Sequence, residues 1–368
     1  MSSALFSPIE LRSFTLNNRI AVSSMCQYCA ENGSAGDWHL MHLGQFSMGA
    51  AGLVMTEATA VSPAGRISPK CLGLYSDENE AALKRVIDFC REYGVTAMGI
   101  QLAHAGRKGS TQIPADGGQP LGTAENPWTT LAPSALPFGP GWHLPQALDR
   151  EGLAAVKADF VSATQRAARI GFDLAELHCA HGYLLHQFLS PISNQRDDAY
   201  GGKLENRLRY PLEVFEAVRA AWPEDKPLGV RISATDWIDG GWTLEESVVL
   251  AKELKSLGCD FIDVSSGALD PRQQIPLGPG YQVHLSDHIR SQAGIATWTV
   301  GMITRAHQAE EIIAGGKADI VALARGMLFD PRWAWHAAEE LGVDTEYSRM
   351  YTRCMPSQWP EVFPWRDK

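Results

Sequence analysis

The chain has 368 residues, 45% of them apolar and 20% charged, with a formal net charge of -10. This length and composition fit a globular protein that buries a large core in one large domain or two ordinary ones, and the acidic balance weighs weakly against nucleic acid as the main partner. No stretch approaches the ~18 to 20 continuous apolar residues that span a bilayer, and the N-terminus lacks a basic stretch followed by a long apolar run, which predicts a cytoplasmic protein with no membrane partner.

Short apolar runs alternate with longer amphipathic stretches. The first candidate strand is RIAVSS, 19–24. It leads into MCQYCAENG, 25–33, where Cys26 and Cys29 have a spacing shared by redox thiol pairs and zinc half-sites. The seven cysteines, at 26, 29, 71, 90, 179, 259 and 354, are odd in number and scattered, which is no disulfide framework. A metal cluster on Cys26 and Cys29 needs a second close pair, and only His178 and His181 offer one. Further strands are read at GLVMTEA (52–58), VTAMGIQLA (95–103), FDLAELH (172–178), PLGVRISA (227–234), DFIDVSS (260–266), IATWTV (295–300) and DIVALA (319–324). Helical stretches separate them. The span 149–171 opens at Asp149 and closes at Gly171. The span 243–258 opens with Thr243 and Glu246 in a capping box and closes on Gly258.

Eight strands alternating with helices predict an α/β fold, a closed (β/α)₈ TIM barrel rather than an open sheet. The Gly- and Pro-rich span at about 104–148 is expected to fold over the strand ends, at the C-terminal face, within a single domain covering 1–368.

Side chains alternate across a strand. Leu53, Met55 and Glu57 share a face of the second strand, and Gly99 and Gln101 of the third. Leu174, Glu176 and His178 share one in the fourth, and Gly229, Arg231 and Ser233 in the fifth. Each set ends on a polar group near the C-terminal end of its strand, where barrel active sites are built. A buried Arg and Gln there suit a flat, electron-rich heteroaromatic ring. In the seventh and eighth units, Gly301 follows a strand, Thr304 is placed to cap the next helix, and Arg325 and Gly326 follow the last strand. These loops are the usual phosphate site of such barrels. A phosphate there and a ring over the barrel mouth suggest flavin mononucleotide.

The block HCAHGYLLHQFLSPISNQRDDAYGGKLENR, 178–207, carries the most specific chemistry. His178 and His181 are three residues apart, with Tyr183 close behind. One reading is a zinc site with Cys26 or Glu176 as a further ligand. A second is two loop histidines with structural hydrogen bonds only. A third is a pair of donors to a carbonyl or nitro oxygen, stabilising the negative charge that develops when hydride adds to a conjugated carbon, with a Tyr to deliver a proton.

At this block the sequence resembles the old yellow enzyme family of FMN-dependent ene-reductases, in its thermophilic-like branch. The resemblance runs through NRI (18–20), MCQY (25–28), EATAV (57–61), IQLAHAGRK (100–108), the histidine block, YGGKLENR (200–207) and ALARGMLFDP (322–331). It implies that Ser23, Ser24, Met25 and Cys26 run along the flavin. Ala58, Gln101 and Arg231 would contact the isoalloxazine ring, and Gly301, Ala324 and Arg325 would hold the phosphate end. His178 and His181 would bind the substrate oxygen with Tyr28 as an added donor, Tyr183 would be the proton donor, and no metal would be needed. The implied reaction takes hydride from NADPH or NADH and reduces the C=C bond of activated alkenes, such as enones, maleimides and nitroalkenes, by a ping-pong mechanism. A homodimer or homotetramer is implied, with the tail at about 345–368 in subunit contacts and Arg353 or Trp359 as candidates to reach a site. Two positions depart from the branch: Ser24 stands where Pro is common, and Ala324 where Gly is common. The alternatives are a zinc-dependent barrel hydrolase and a non-catalytic flavin-binding protein.

Overall fold

The computed structural model describes residues 2–359, and all eight apolar runs are strands in it. They are β1 (Ile20–Val22), β2 (Leu53–Ala60), β3 (Ala97–Ala103), β4 (Leu174–Cys179), β5 (Leu228–Ser233), β6 (Phe261–Ser265), β7 (Ala296–Thr299) and β8 (Ile320–Leu323). Each pairs in parallel with the next, and β8 pairs with β1, which closes the barrel. The strands are apolar runs because helices cover their outer face while side chains fill the inside.

The capping expectations hold for two helices. Asp149 accepts from the Gly152 N–H at 2.8 Å at the start of Arg150–Ile170, which ends on left-handed Gly171 (φ 96). Thr243 and Glu246 form the reciprocal box before Leu244–Ser256. The expectation for Thr304 fails. The helix Ala306–Ala314 starts one residue later, with Arg305 at its cap and no side-chain cap bond. The Thr304 N–H instead donates to Gln308 Oε1 at 3.3 Å.

The bottom of the barrel is filled by Ala21, Leu53, Met55, Leu174, Phe261, Trp298, Ile320 and Ala322. Phe261 and Trp298 stack at 4.2 Å between ring centres. A short antiparallel ribbon, Ile9–Leu11 with Phe14–Leu16, closes this end with Leu11 and Leu16. Gly229 is required by close approach, since a Cβ there would lie 2.2 Å from the Phe261 ring.

One register expectation is corrected. β2 and β3 pair Met55 with Gly99 but Ala58 with Gln101, so a β-bulge adds a residue to β2. Alternation alone places Glu57 beside Gln101. The bulge puts Ala58 there and turns Glu57 toward the N-terminal segment, where it meets His39 Nε2 at 3.1 Å and accepts from the Gln27 N–H at 3.2 Å.

The span after β3 does fold over the C-terminal face. Arg107 donates to the carbonyls of Pro137 (3.3 Å) and Leu269 (3.1 Å), which ties the excursion to the loop after β6. Among the described residues, no helix is long and apolar enough to cross a membrane.

Candidate active site

The site rises in layers from the apolar barrel floor. The first polar layer is Gln101 on β3, Glu176 on β4, Arg231 on β5 and Asp263 on β6, all buried. Gln101 Nε2 donates to Glu176 Oε1 at 2.7 Å. Arg231 Nε lies 3.2 Å from Asp263 Oδ2, and its Nη1 donates to Ser23 Oγ at 3.1 Å. Strand alternation brings Gln101, Glu176 and Arg231 to one level, and Ser23, just past the first strand, reaches the same level through Arg231. Asp263 was missed, although the same alternation in DFIDVSS points Phe261, Asp263 and Ser265 inward.

The next layer holds the histidines. His178 lies within β4 and His181 in the turn beyond it. Their rings are perpendicular, 5.1 Å apart, and the Tyr183 ring is 5.0 Å from His178. His181 is held at a left-handed φ of 57. Its N–H donates to Ser233 Oγ at 2.9 Å, and its Nε2 lies 2.8 Å from Ser265 Oγ. The Ala180 N–H donates to His178 Nδ1 at 3.3 Å. Burial, then the neighbouring Arg231 cation, push both imidazoles well below the usual histidine range. Each is thus neutral, and His178 with an acceptor at Nδ1 carries its proton on Nε2. Burial, then the nearby Cys26 and Tyr28, push the Tyr183 phenol up, so it keeps its proton.

The N-terminal segment forms the adjoining wall. Cys26 and Tyr28 are half-buried. Burial, then the Glu57 carboxylate, push the Cys26 thiol well up. Cys29 is exposed, with its thiol 3.2 Å from the Gln27 carbonyl. The paired-thiol spacing therefore has no partner geometry. Buried Cys71, which no spacing singled out, lies beside this group and adds to the upward push on both Cys26 and Tyr183.

Lys108 was also missed. Its ammonium donates to the carbonyls of His181 and Ala268, both at 2.8 Å, and lies 5.2 Å from the Tyr183 ring centre. It comes from the irregular excursion, where no periodicity predicts its direction.

A cavity of about 430 Å³ opens from this layer toward the loops after β7 and β8. Its wall includes Arg231, Ser265, Gln282, Gly301, Ala324 and Arg325. The residues present fit FMN. Gly301 has φ 130, and a Cβ there would crowd Gln282 Nε2 and the Tyr281 ring, both at 3.1 Å. The backbone N–H groups of Arg325 and Gly326 lie in a first helical turn, which leaves them without intrahelical partners. Exposed Arg325 makes no ion pair among the described residues. At the other end, the Ser24 hydroxyl is buried and meets no protein partner. A phosphate at the loops and a ring over Arg231 use these otherwise unspent groups.

The zinc reading loses its geometry. Among the described residues no three His, Cys, Asp or Glu side chains are arranged to hold a metal ion, and His181 Nε2 is engaged by Ser265. Arg353 and Trp359 are exposed and line no part of this cavity, and the remaining tail expectation, 360–368, lies outside the described residues.

Comparisons with known proteins agree with this arrangement. Residues 4–344 match the model of the NADH:flavin oxidoreductase / NADH oxidase family. The chain is 46% identical to an NADPH dehydrogenase of Listeria innocua over 353 residues, covering 95% of this chain and 99% of that one. It is 42% identical to an NADPH dehydrogenase of Geobacillus thermodenitrificans over 355 residues, covering 96% and 99%. Among solved structures, morphinone reductase superposes with a TM-score of 0.77 at 26% identity, covering 94% of this chain and 91% of that one.

Proposed function

Because the chain belongs to the NADH:flavin oxidoreductase / NADH oxidase family, that of old yellow enzyme, and is an FMN-dependent NAD(P)H oxidoreductase, we propose that it reduces the C=C bond of activated alkenes. The substrate class is α,β-unsaturated carbonyls, maleimides and nitroalkenes. The observation that carries this reading is the neutral His178–His181 pair with Tyr183 at 5.0 Å, set over the Arg231 layer.

FMN, when bound, supplies the hydride, taken from NAD(P)H and passed to the β-carbon of the alkene. His178 Nε2–H and His181 would donate to the carbonyl or nitro oxygen, where negative charge grows as the β-carbon is attacked. The Ser265 hydroxyl orients the His181 ring, and Ser233 fixes its backbone. Tyr183 would give its proton to the α-carbon, and Tyr28 would add a donor from the adjoining N-terminal wall. Gln101, Arg231, Ala58 and Ser23 would lie along the ring, with Ser24, Met25 and Cys26 on its flank. Ser24, in place of the common Pro, adds a hydroxyl on that side. Gly301, Ala324 and Arg325 would hold the phosphate, with Ala324 serving through its backbone as the common Gly would.

One domain would serve both half-reactions in one pocket, which gives ping-pong kinetics. A homodimer or homotetramer is proposed. Light scattering reads that state directly. The chemistry is tested by mixing the NADPH-reduced yellow enzyme with a panel of alkenes in stopped flow. Rapid reoxidation by cyclohexenone or a nitroalkene without oxygen is expected. Reoxidation by oxygen alone, with every alkene inert, refutes the proposal.

A further inference from the structure

We propose that His186 and Gln187 are positioning residues that hold Gly182, the single residue between His181 and Tyr183, and so fix the substrate donor and the proton donor relative to each other. The bearing on catalysis rests on the roles assigned to His181 and Tyr183.

The turn beyond β4 is one the backbone does not adopt unaided. His181 and Gly182 are consecutive left-handed residues, with φ of 57 and 71. A His in that region is disfavoured and persists only where its surroundings hold it. Gly182 is required, because a Cβ there would run into the Ala268 carbonyl. Side chains supply the support, and every backbone polar group of the two residues meets one. The His181 N–H donates to Ser233 Oγ at 2.9 Å, and the His181 carbonyl accepts from Lys108 Nζ at 2.8 Å. The Gly182 N–H donates to His186 Nδ1 at 2.9 Å, and the Gly182 carbonyl accepts from Gln187 Nε2 at 2.7 Å. The Tyr183 N–H then returns to the Ala180 carbonyl at 3.1 Å.

His186 and Gln187 lie in the helix Leu184–Leu189, which starts directly after Tyr183. Side chains in a first turn lean back toward the N-terminus, so both reach Gly182. The N3 residue of a capping box does the same, and here the reach extends one residue further. Both residues are fully buried, where a polar side chain is costly unless its bonds are made. Gln187 also ties the turn to the excursion after β3. Its Nε2 donates to the Ala105 carbonyl and its Oε1 accepts from the Arg107 N–H, both at 3.3 Å. The His186 ring is set from two sides. With the Gly182 N–H donating to Nδ1, a neutral ring carries its proton on Nε2, which lies 3.0 Å from Asp236 Oδ1. Asp236 Oδ2 in turn accepts from the Ser190 hydroxyl and the Trp242 N–H, both at 2.7 Å.

His186 is the third histidine of HCAHGYLLH, and it lines no part of the cavity. Its influence on the chemistry passes through the Gly182 backbone. A shift there changes the placement of the His181 ring against the Tyr183 phenol, and a misplacement of ~1 Å can cost about 10²-fold in rate.

Two polar replacements separate the two faces of His186. Asn carries its oxygen near the Nδ1 position and keeps an acceptor for Gly182, whereas Gln reaches the Nε2 position and keeps a donor for Asp236. Stopped-flow reoxidation of the FMN-loaded, NADPH-reduced enzyme by cyclohexenone should fall about tenfold in His186→Gln and stay within about threefold of wild type in His186→Asn. Thermal stability should rank the other way, because Asn leaves Asp236 without its ring partner. Gln187→Met removes the donor to the Gly182 carbonyl and should also slow reoxidation about tenfold. Deuterium exchange over 180–184 should rise in His186→Gln and Gln187→Met. Rates that follow stability across the three variants, or wild-type rates in both His186→Gln and Gln187→Met, overturn the proposal. If His186→Asn does not fold, the other two variants decide it. A wild-type enzyme that no alkene reoxidises refutes the substrate reading instead, and exchange over 180–184 then decides the hold on Gly182, with unchanged exchange in both variants refuting it.

Discussion

His181 Nε2 lies 2.8 Å from the Ser265 hydroxyl, so a residue on β6 fixes the ring orientation of a residue in the β4 turn. For His181 to donate from Nδ1 to substrate, the Ser265 hydroxyl must donate to Nε2. Ser265→Ala frees the ring and the tautomer but leaves the imidazole in place. The expected cost is one hydrogen bond, about three- to tenfold in the rate of alkene-dependent reoxidation. His178→Ala removes a donor outright and should cost about 10²–10³. Stopped-flow rates rank the two. A larger loss in Ser265→Ala than in His178→Ala contradicts the assigned roles.

Tyr183→Phe removes the proton and preserves the ring that packs 5.0 Å from His178. Alkene reduction should slow by about 10²–10⁴, the usual worth of a positioned acid. Flavin reduction by NADPH should remain nearly intact, because no proton reaches an α-carbon in that half-reaction. Equal loss in both half-reactions points to a disturbed pocket and removes Tyr183 from the proton-donor role.

Cys26 is half-buried and its thiol is pushed up by burial and then by Glu57, whereas Cys29 is exposed with its thiol at the Gln27 carbonyl. Cys26→Ala should shift the FMN potential and the reoxidation kinetics. Cys29→Ala should leave both unchanged. Comparable shifts from both substitutions restore the paired-thiol reading that the spacing raised.

The barrel was legible because each parallel strand is buried on both faces and so reads as an apolar run between amphipathic stretches. The inward polar groups Gln101, Glu176, Arg231 and Ser233 were legible for the same reason, as interruptions of those runs at regular spacing. Alternation fails where the backbone departs from it. The bulge between Met55 and Ala58 moves Glu57 off the shared face, and nothing in GLVMTEA marks an inserted residue. Lys108 and Cys71 reach the site from segments without a period. The direction of Lys108 is set by a tertiary contact to the Ala268 carbonyl, and that of Cys71 by a local one to Ser68. Thr304 shows a milder limit, a plausible capping residue one position too early.

Lys108 gives a pH dependence whose sign can be worked out. Burial, then the adjacent Arg107, push its ammonium from 10.5 down to about 7. In the unfolded chain the group still titrates near its ordinary value. Between pH 7 and about 10 the unfolded state therefore holds a proton that the native state lacks, so this group makes stability rise with pH across that window. Below pH 7 both states are protonated and the full penalty of burying the charge is present. Lys108→Met removes the titration. The stability of wild type relative to this variant, from denaturant melts, should climb as pH goes from about 7 to 10 and stay flat from 5 to 6. The same group clamps His181 and Ala268 and lies 5.2 Å from the Tyr183 ring centre, so its charge also touches catalysis. The wild-type rate of alkene reduction should bend near pH 7, as the clamp weakens on losing its charge. In Lys108→Met the rate should be lower and the bend absent. A bend that persists unchanged in the variant assigns it to another group.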